Sequence, residues 1–139
     1  MRGVLNGLVA ETSRTAIVDL EAGLEHLSRG TARHVDTLFI VGEPYFKSLE
    51  TASRSFALAK DLGIKKVRMV ANKVRTARDE DTVRDYASRH GLPIEAVVPF
   101  DEAVVAADER GAALIEYQPA APSVGAIRRL ADGVLTIGR

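Results

Sequence analysis

Short apolar runs alternate with amphipathic segments along this chain. Four runs are continuously apolar and have the length of buried strands: 15–20, 37–42, 66–71 and 94–99. Most of the segments between them place apolar residues three or four positions apart, which is the spacing of a helix with one buried face. Apolar strands separated by helices are typical of a parallel sheet that is covered on both faces. The sequence therefore predicts an α/β fold with a mostly parallel sheet of about four strands and flanking helices.

The amphipathic spacing also predicts where the helices lie. An apolar face with this spacing occurs at 4–9, and longer helices are predicted at 47–63, 79–91, 101–111 and from 123 onward. Gly63 and Gly91 are predicted to end two of these helices, because glycine is common just after the last helical residue. Asp101 and Ser123 are predicted to cap the last two, because their oxygens can accept hydrogen bonds from free backbone N–H groups. Together the elements form a single domain over residues 1–139.

The spacing further predicts which residues of two helices face the core. In the segment 79–91 they are Val83, Tyr86, Ala87 and His90. In the final helix they are Val124, Ile127, Leu130, Ala131 and Val134.

Composition and charge narrow the possible functions. The chain has 139 residues, of which 46% are hydrophobic and 27% charged, as in one soluble globular domain. Lys plus Arg and Asp plus Glu number 19 each, so no net charge favours nucleic acid or anionic lipid as a partner. The sequence contains no cysteine, which excludes disulfides and thiolate chemistry within it. No apolar run approaches the ~20 residues of a membrane span, and residues 1–15 lack the pattern of a secretory signal, so a cytoplasmic location is expected.

Polar or turn-forming residues follow each of the four predicted strands. They are Asp19 to Gly23, Glu43–Pro44, Asn72–Lys73 and Pro99 to Asp101. The carboxyl ends of parallel strands share one edge of the sheet, and ligands of open α/β sheets bind there. The sequence therefore predicts a ligand site at this edge.

In their order along the chain, these motifs resemble a known family. The segments "VDLEAGLEHLSRGT", "FIVGEPYFKSLETA", "VRMVANKV" and "IEAVVPFDEAVVAADERGAALIE" are similar to MinD/ParA-like P-loop ATPases. The strongest resemblance is to the CooC-like accessory ATPases that insert nickel into carbon monoxide dehydrogenase. It covers nearly the whole chain but only about the C-terminal half of a family member. The resemblance implies a partial P-loop NTPase fold without the Walker A half, with ATP and Mg²⁺ as the cofactors of the family.

Two residues after the first predicted strand resemble the family's metal and phosphate positions. Asp19 is similar to the carboxylate that holds the Mg²⁺ shell through water, a ligand type that suits this hard cation. Gly23 is similar to the glycine whose backbone approaches the γ-phosphate, where a Cβ would interfere. A simpler interpretation is that both residues only form a turn after the strand.

Five further residues resemble the positions that hold the base. Asn72 is similar to the asparagine that hydrogen-bonds adenine, because its amide can donate and accept, and Lys73 accompanies it. The loop that lines the base is matched by Pro99, Phe100 and Asp101. The alternative for Asn72 is an ordinary polar residue at a strand end.

Two features of the family are absent from these 139 residues: the "GKGGxGKT"-type phosphate loop and the Cys-x-Cys metal motif. Without the phosphate loop, the chain alone is not expected to hydrolyse ATP. In the family the absent half supplies a strand beside 15–19, so an open sheet edge is expected here. Rearrangement, self-association or pairing with another polypeptide would close that edge.

Two functional hypotheses follow. In the first, the chain is a nucleotide-binding half-domain of the nickel-insertion type. In the second, it is a non-catalytic interaction module or truncated paralogue. The expected partners are a second copy, a complementing ATPase subunit or carbon monoxide dehydrogenase.

Overall fold

The protein is built on a sheet of three parallel strands. The computed structural model describes residues 15–20 and 35–137. Within these residues the strands are β1 (Thr37–Gly42), β2 (Lys66–Val74) and β3 (Ile94–Pro99). They lie in the order β1-β2-β3, and both pairs are parallel. The predicted α/β class with a parallel sheet is confirmed.

Helices connect and follow the strands. They are α1 (Phe46–Asp61), α2 (Ala77–Arg89), α3 (Glu102–Glu109), α4 (Leu114–Tyr117) and α5 (Pro122–Ile137). The first two lie between consecutive strands, as parallel pairing requires. Among the described helices, the short α4 alone was not predicted, because its four residues are too few to show helical spacing.

The two faces of the sheet are covered by different helices. On one face, Ile40 and Met69 of the sheet pack with Leu49 of α1 and Val83 of α2. On the opposite face, Val70 and Val98 pack with Ala126 of α5. Both faces of β2 are thereby buried, which explains the continuous apolar run of that strand.

Residues 15–20 do not form the predicted first strand. They belong to no strand or helix, and Ile17 is 93% exposed. Leu20 packs at the margin of the core formed with α1 and α2. Within the described residues, β1 pairs with β2 alone, and residues 15–20 have no strand partner although the outer edge of β1 is free. An apolar run without such a partner gains nothing from an extended ladder. Residues 15–20 and 35–137 therefore contain three of the about four strands that were predicted.

Three predicted inner helix positions face solvent instead: His90, Ile127 and Ala131. His90 follows α2 as its C-cap, is exposed and stacks on Tyr86 with ring centroids 4.1 Å apart. Ile127 of α5 is 52% exposed, whereas its neighbour Ala126 is 3% exposed. The small alanine lets the helix approach β2 and β3 closely, so tertiary packing selects a different face from the one that spacing predicted.

The turn after α1 requires the conformational freedom of glycine. Gly63 has φ 81, in the left-handed region, and a Cβ built there would meet no atom within 4 Å. Replacing Gly63 by alanine should therefore lower the free energy of unfolding by about 1 kcal/mol through backbone strain alone. Urea denaturation of both proteins measures this difference. An unchanged midpoint would contradict a left-handed Gly63.

Candidate functional site

The carboxyl ends of the three strands bring several of the predicted site residues to one edge. Glu43 follows β1, Asn72 and Lys73 lie just before the last residue of β2, and Phe100 follows β3. β2 runs to Val74, three residues beyond its predicted end. Because all three strands are parallel, these residues share the edge at which such sheets bind ligands.

An ion pair joins the ends of β1 and β2. Lys73 Nζ lies 2.8 Å from Glu43 Oε1, although the residues are 30 positions apart. The hydrogen bond and the charge of Glu43 raise the pKa of Lys73 above its ordinary value. This contribution to stability is present at neutral pH and is lost only as the pH rises through that raised pKa. The pair holds the Lys73 side chain across the strand ends.

Lys73 has an unusual backbone conformation. Its φ of 56 is the only positive value at a non-glycine residue within the described part of the chain. The pairing of β2 with β3 is irregular at the same point, between Ala71 and Val74. Such a bulge redirects side chains at a strand end and is common beside binding sites.

Asn72 keeps its hydrogen-bonding capacity available. Its side chain is half-buried and forms no hydrogen bond with the residues that the structure describes. No buried side-chain polar atom of that part lacks a partner, so the Asn72 amide reaches solvent. Its amide can therefore both donate to and accept from a ligand.

Arg75 and Phe100 form a stacked pair at the ends of β2 and β3. The guanidinium carbon lies 3.4 Å from the ring centroid of Phe100. Phe100 N–H donates to Val74 O at 2.9 Å, and Arg75 N–H donates to the Asp79 carboxylate at 3.0 Å. Both backbones are thus tied to regular elements, and the flat pair presents a delocalised surface at the strand ends.

Asp101 joins two helices. Its carboxylate accepts a hydrogen bond from Ala103 N–H at 3.0 Å as the N-cap of α3. It also accepts from Ser123 N–H at 3.1 Å and from Ser123 Oγ at 2.8 Å. These hydrogen bonds, above all the one from the Ser123 hydroxyl, lower the pKa of Asp101. The predicted cap by Asp101 is confirmed, whereas Ser123 lies inside α5 and donates to Asp101 instead of capping its own helix.

The remaining predicted site residues contribute less. Pro99 ends β3 opposite Val74 and is half-buried. Asp19 is exposed and forms no ion pair with the residues that the structure describes. Gly23 lies outside the described residues. Across 15–20 and 35–137, no group of three His, Cys, Asp or Glu side chains could hold a metal ion.

Arg75 is the site residue that the sequence did not indicate. It follows β2 directly, but its contact with Phe100 spans 25 positions and depends on how β2 and β3 pair. A basic residue after a strand is too common to indicate such a contact alone.

The fold is that of the MinD and ParA ATPases. The solved structure of the septum site-determining protein MinD with Mg-ADP from Pyrococcus horikoshii OT3 matches 94% of this chain and 55% of its own. The TM-score is 0.72 and the identity 20%. The predicted P-loop NTPase resemblance is therefore confirmed at the level of fold.

Two relatives connect the chain to this class by sequence. It is 38% identical over 120 residues to the carbon monoxide dehydrogenase accessory protein CooC of Rhodospirillum rubrum, covering 86% of this chain and 45% of CooC. It is 40% identical over 112 residues to an uncharacterized ATP-binding protein of Methanocaldococcus jannaschii, covering 80% of this chain and 43% of that protein. The chain is thus a homologue of CooC, as its motifs predicted, and spans somewhat less than half the length of these relatives.

No protein-family model matches the chain. Among the described residues, no helix is long and apolar enough to cross a membrane.

Proposed function

We propose that the chain provides the base-binding half of a CooC-like ATPase. The observation that carries this proposal is that the carboxyl edge of the sheet presents both the unpartnered amide of Asn72 and the stacked pair of Arg75 and Phe100. An amide that can donate and accept matches the hydrogen-bonding edge of adenine, and a flat aromatic surface suits a purine. The homologous protein of M. jannaschii is named as ATP-binding, which supports the same assignment.

The other family roles belong to this proposal. Asp19 would help to hold the Mg²⁺ shell and Gly23 would approach the γ-phosphate once the phosphate-binding half is present. Lys73, Pro99 and Asp101 would shape the rim around the base. Asp101 would do so through its backbone and through the position of α3, because its carboxylate already joins α3 to α5.

The cellular role is inferred from one relative. CooC is named as an accessory protein of carbon monoxide dehydrogenase. We infer that an ATPase containing this chain acts in the cytoplasm in metallocentre assembly, with nickel insertion into that enzyme as its specific task. Carbon monoxide dehydrogenase and a second copy of the chain are then its expected partners.

Binding of adenine compounds tests the proposal directly. Because the sequence has no phosphate loop, adenosine and Mg-ATP should bind equally weakly, with dissociation constants in about the millimolar range. Nuclear magnetic resonance titration should show amide shifts confined to residues 72–75 and 99–101. Asn72→Ala should abolish these shifts, whereas Thr82→Ala on the exposed face of α2 should leave them unchanged.

Two results would contradict the proposal. If the shifts persisted in Asn72→Ala, the Asn72 amide would not be in contact with the base. Micromolar binding of Mg-ATP with no binding of adenosine would show that the chain binds the phosphates at another site and does not bind the base.

A second function is favoured by a separate observation. Three apolar side chains at the end of β1 and the start of α1 are largely exposed: Val41 (63%), Tyr45 (54%) and Phe46 (69%). β1 also has no strand on its outer side within 15–20 and 35–137. An open edge with apolar neighbours suits association with another polypeptide. Such a module would bind a complementing ATPase subunit without contacting nucleotide.

A further inference from the structure

A groove lies along β3, the outer strand on the side of the sheet away from β1. The proposed nucleotide site does not use this groove. The groove has a volume of about 380 Å³ and runs along the outer side of β3. Residues 94–97 form its floor, Arg84 of α2 lines one wall, and Arg129 and Leu130 of α5 line the other. In the described part of the chain, no strand pairs with this side of β3.

The charges around the groove are unequal. Arg84 is paired with Glu80 at 2.5 Å, and Glu95 is paired with Arg68 at 3.4 Å. Arg129 is exposed and forms no hydrogen bond or ion pair with the residues that the structure describes. The uncompensated charge that faces the groove is therefore the guanidinium of Arg129.

A strand edge between two helices is suited to an extended segment. An added strand would pair its backbone with β3, and its side chains would point alternately to the α2 wall and to the α5 wall. Apolar side chains would meet Ile94 and Val97 on the first wall. Acidic side chains would meet Arg129 on the second, where a carboxylate can accept two hydrogen bonds from one guanidinium.

We propose that the outer edge of β3 binds an extended acidic segment of a partner protein by strand addition, with Arg129 as its main charge contact. A second copy of this chain is a poorer occupant. Pairing β3 with β3 of another copy about a two-fold axis would bring two uncompensated Arg129 charges to one interface, and like charges across an interface oppose association.

A pair of synthetic peptides of opposite charge tests this proposal on the 139-residue chain. The probe is a capped nine-residue peptide of alternating valine and glutamate, and the comparison peptide has lysine in place of glutamate. Fluorescence anisotropy of labelled peptide measures affinity, and hydrogen exchange of the backbone amides shows where the peptide lies. The glutamate peptide should bind more tightly than the lysine peptide and should slow exchange at residues 94–97.

Charge reversal on α5 provides the matched variants. Arg129→Glu should weaken binding of the glutamate peptide about fivefold or more, as expected for an exposed ion pair converted to a repulsion. Arg128→Glu makes the same change at the adjacent exposed position, which does not line the groove, and should have less than half that effect on affinity.

Three outcomes would overturn the proposal. Equal losses for Arg128→Glu and Arg129→Glu would indicate general charge attraction without a groove contact. Protection away from residues 94–97 would place the peptide elsewhere. A concentration-dependent dimer that protects residues 94–97 without peptide would make a second copy the occupant.

Discussion

Replacing Leu49 by alanine should lower the free energy of unfolding by about 2–5 kcal/mol. Leu49 is 2% exposed and belongs to the largest fully buried side chains in the described part of the chain. It lies on α1 and packs in the same core as Ile40 and Met69 of the sheet. Because a natural domain is stable by only about 5–15 kcal/mol, this one cavity removes a large share of the total. Urea denaturation followed by circular dichroism measures the loss.

Phe46→Ala is the matched control for that change. It truncates a larger side chain on the same helix, but Phe46 is 69% exposed. The free energy of unfolding should therefore change by no more than about 0.5 kcal/mol. If both variants lost the same stability, the docking of α1 on the sheet through Leu49 would be incorrect.

Replacing Asp101 by alanine should lower the free energy of unfolding by about 2–3 kcal/mol. The carboxylate caps α3 through Ala103 N–H and accepts two hydrogen bonds from Ser123 of α5. Its removal uncaps one helix and leaves the Ser123 hydroxyl, in a residue that is 2% exposed, without an acceptor. Asp108→Ala removes an exposed carboxylate from the same helix and should leave stability nearly unchanged.

The effect of Asp101→Ala should also depend on pH. The hydrogen bonds from Ser123 lower the pKa of Asp101 in the folded protein. Its contribution is therefore complete above the unfolded pKa of about 3.9 and is lost as the pH falls through the lower folded value. The stability difference between the two proteins should be constant near neutral pH and shrink in strong acid. If the stability difference were the same at pH 7 and pH 2, the negative charge of Asp101 would contribute nothing to the free energy of unfolding.

The strands that were predicted correctly have complete local signals. β1 and β3 begin and end at their predicted residues, 37–42 and 94–99, because each is a short apolar run bounded by polar or turn-forming residues. The segment 15–20 has the same kind of signal and forms no strand. The difference lies outside the segment, because a strand is stable only when a neighbour completes its hydrogen bonds.

The candidate site, too, was predictable from the sequence only in part. The edge of the sheet and the position of Asn72 at a strand end were predictable, since strand ends and polar residues can be located along the chain. The role of Asp101 was not predictable in full, because its link to Ser123 spans 22 positions. The groove beside β3 had no signal at all, since it forms between Arg84 and Arg129 on helices that are far apart in the chain.

Periodicity within windows of 6 to 16 residues was enough to establish the class of fold and the order of β1, α1, β2, α2 and β3. Such patterns are local because burial repeats with the geometry of each strand or helix. The resemblance to the CooC-like ATPases came from the quoted motifs and their order along the chain. Only the tertiary structure decided three other features: the contact of Glu43 with Lys73, the stacking of Arg75 on Phe100 and the inner face of α5. They depend on strand register and helix docking, which are settled by packing between segments distant in the chain.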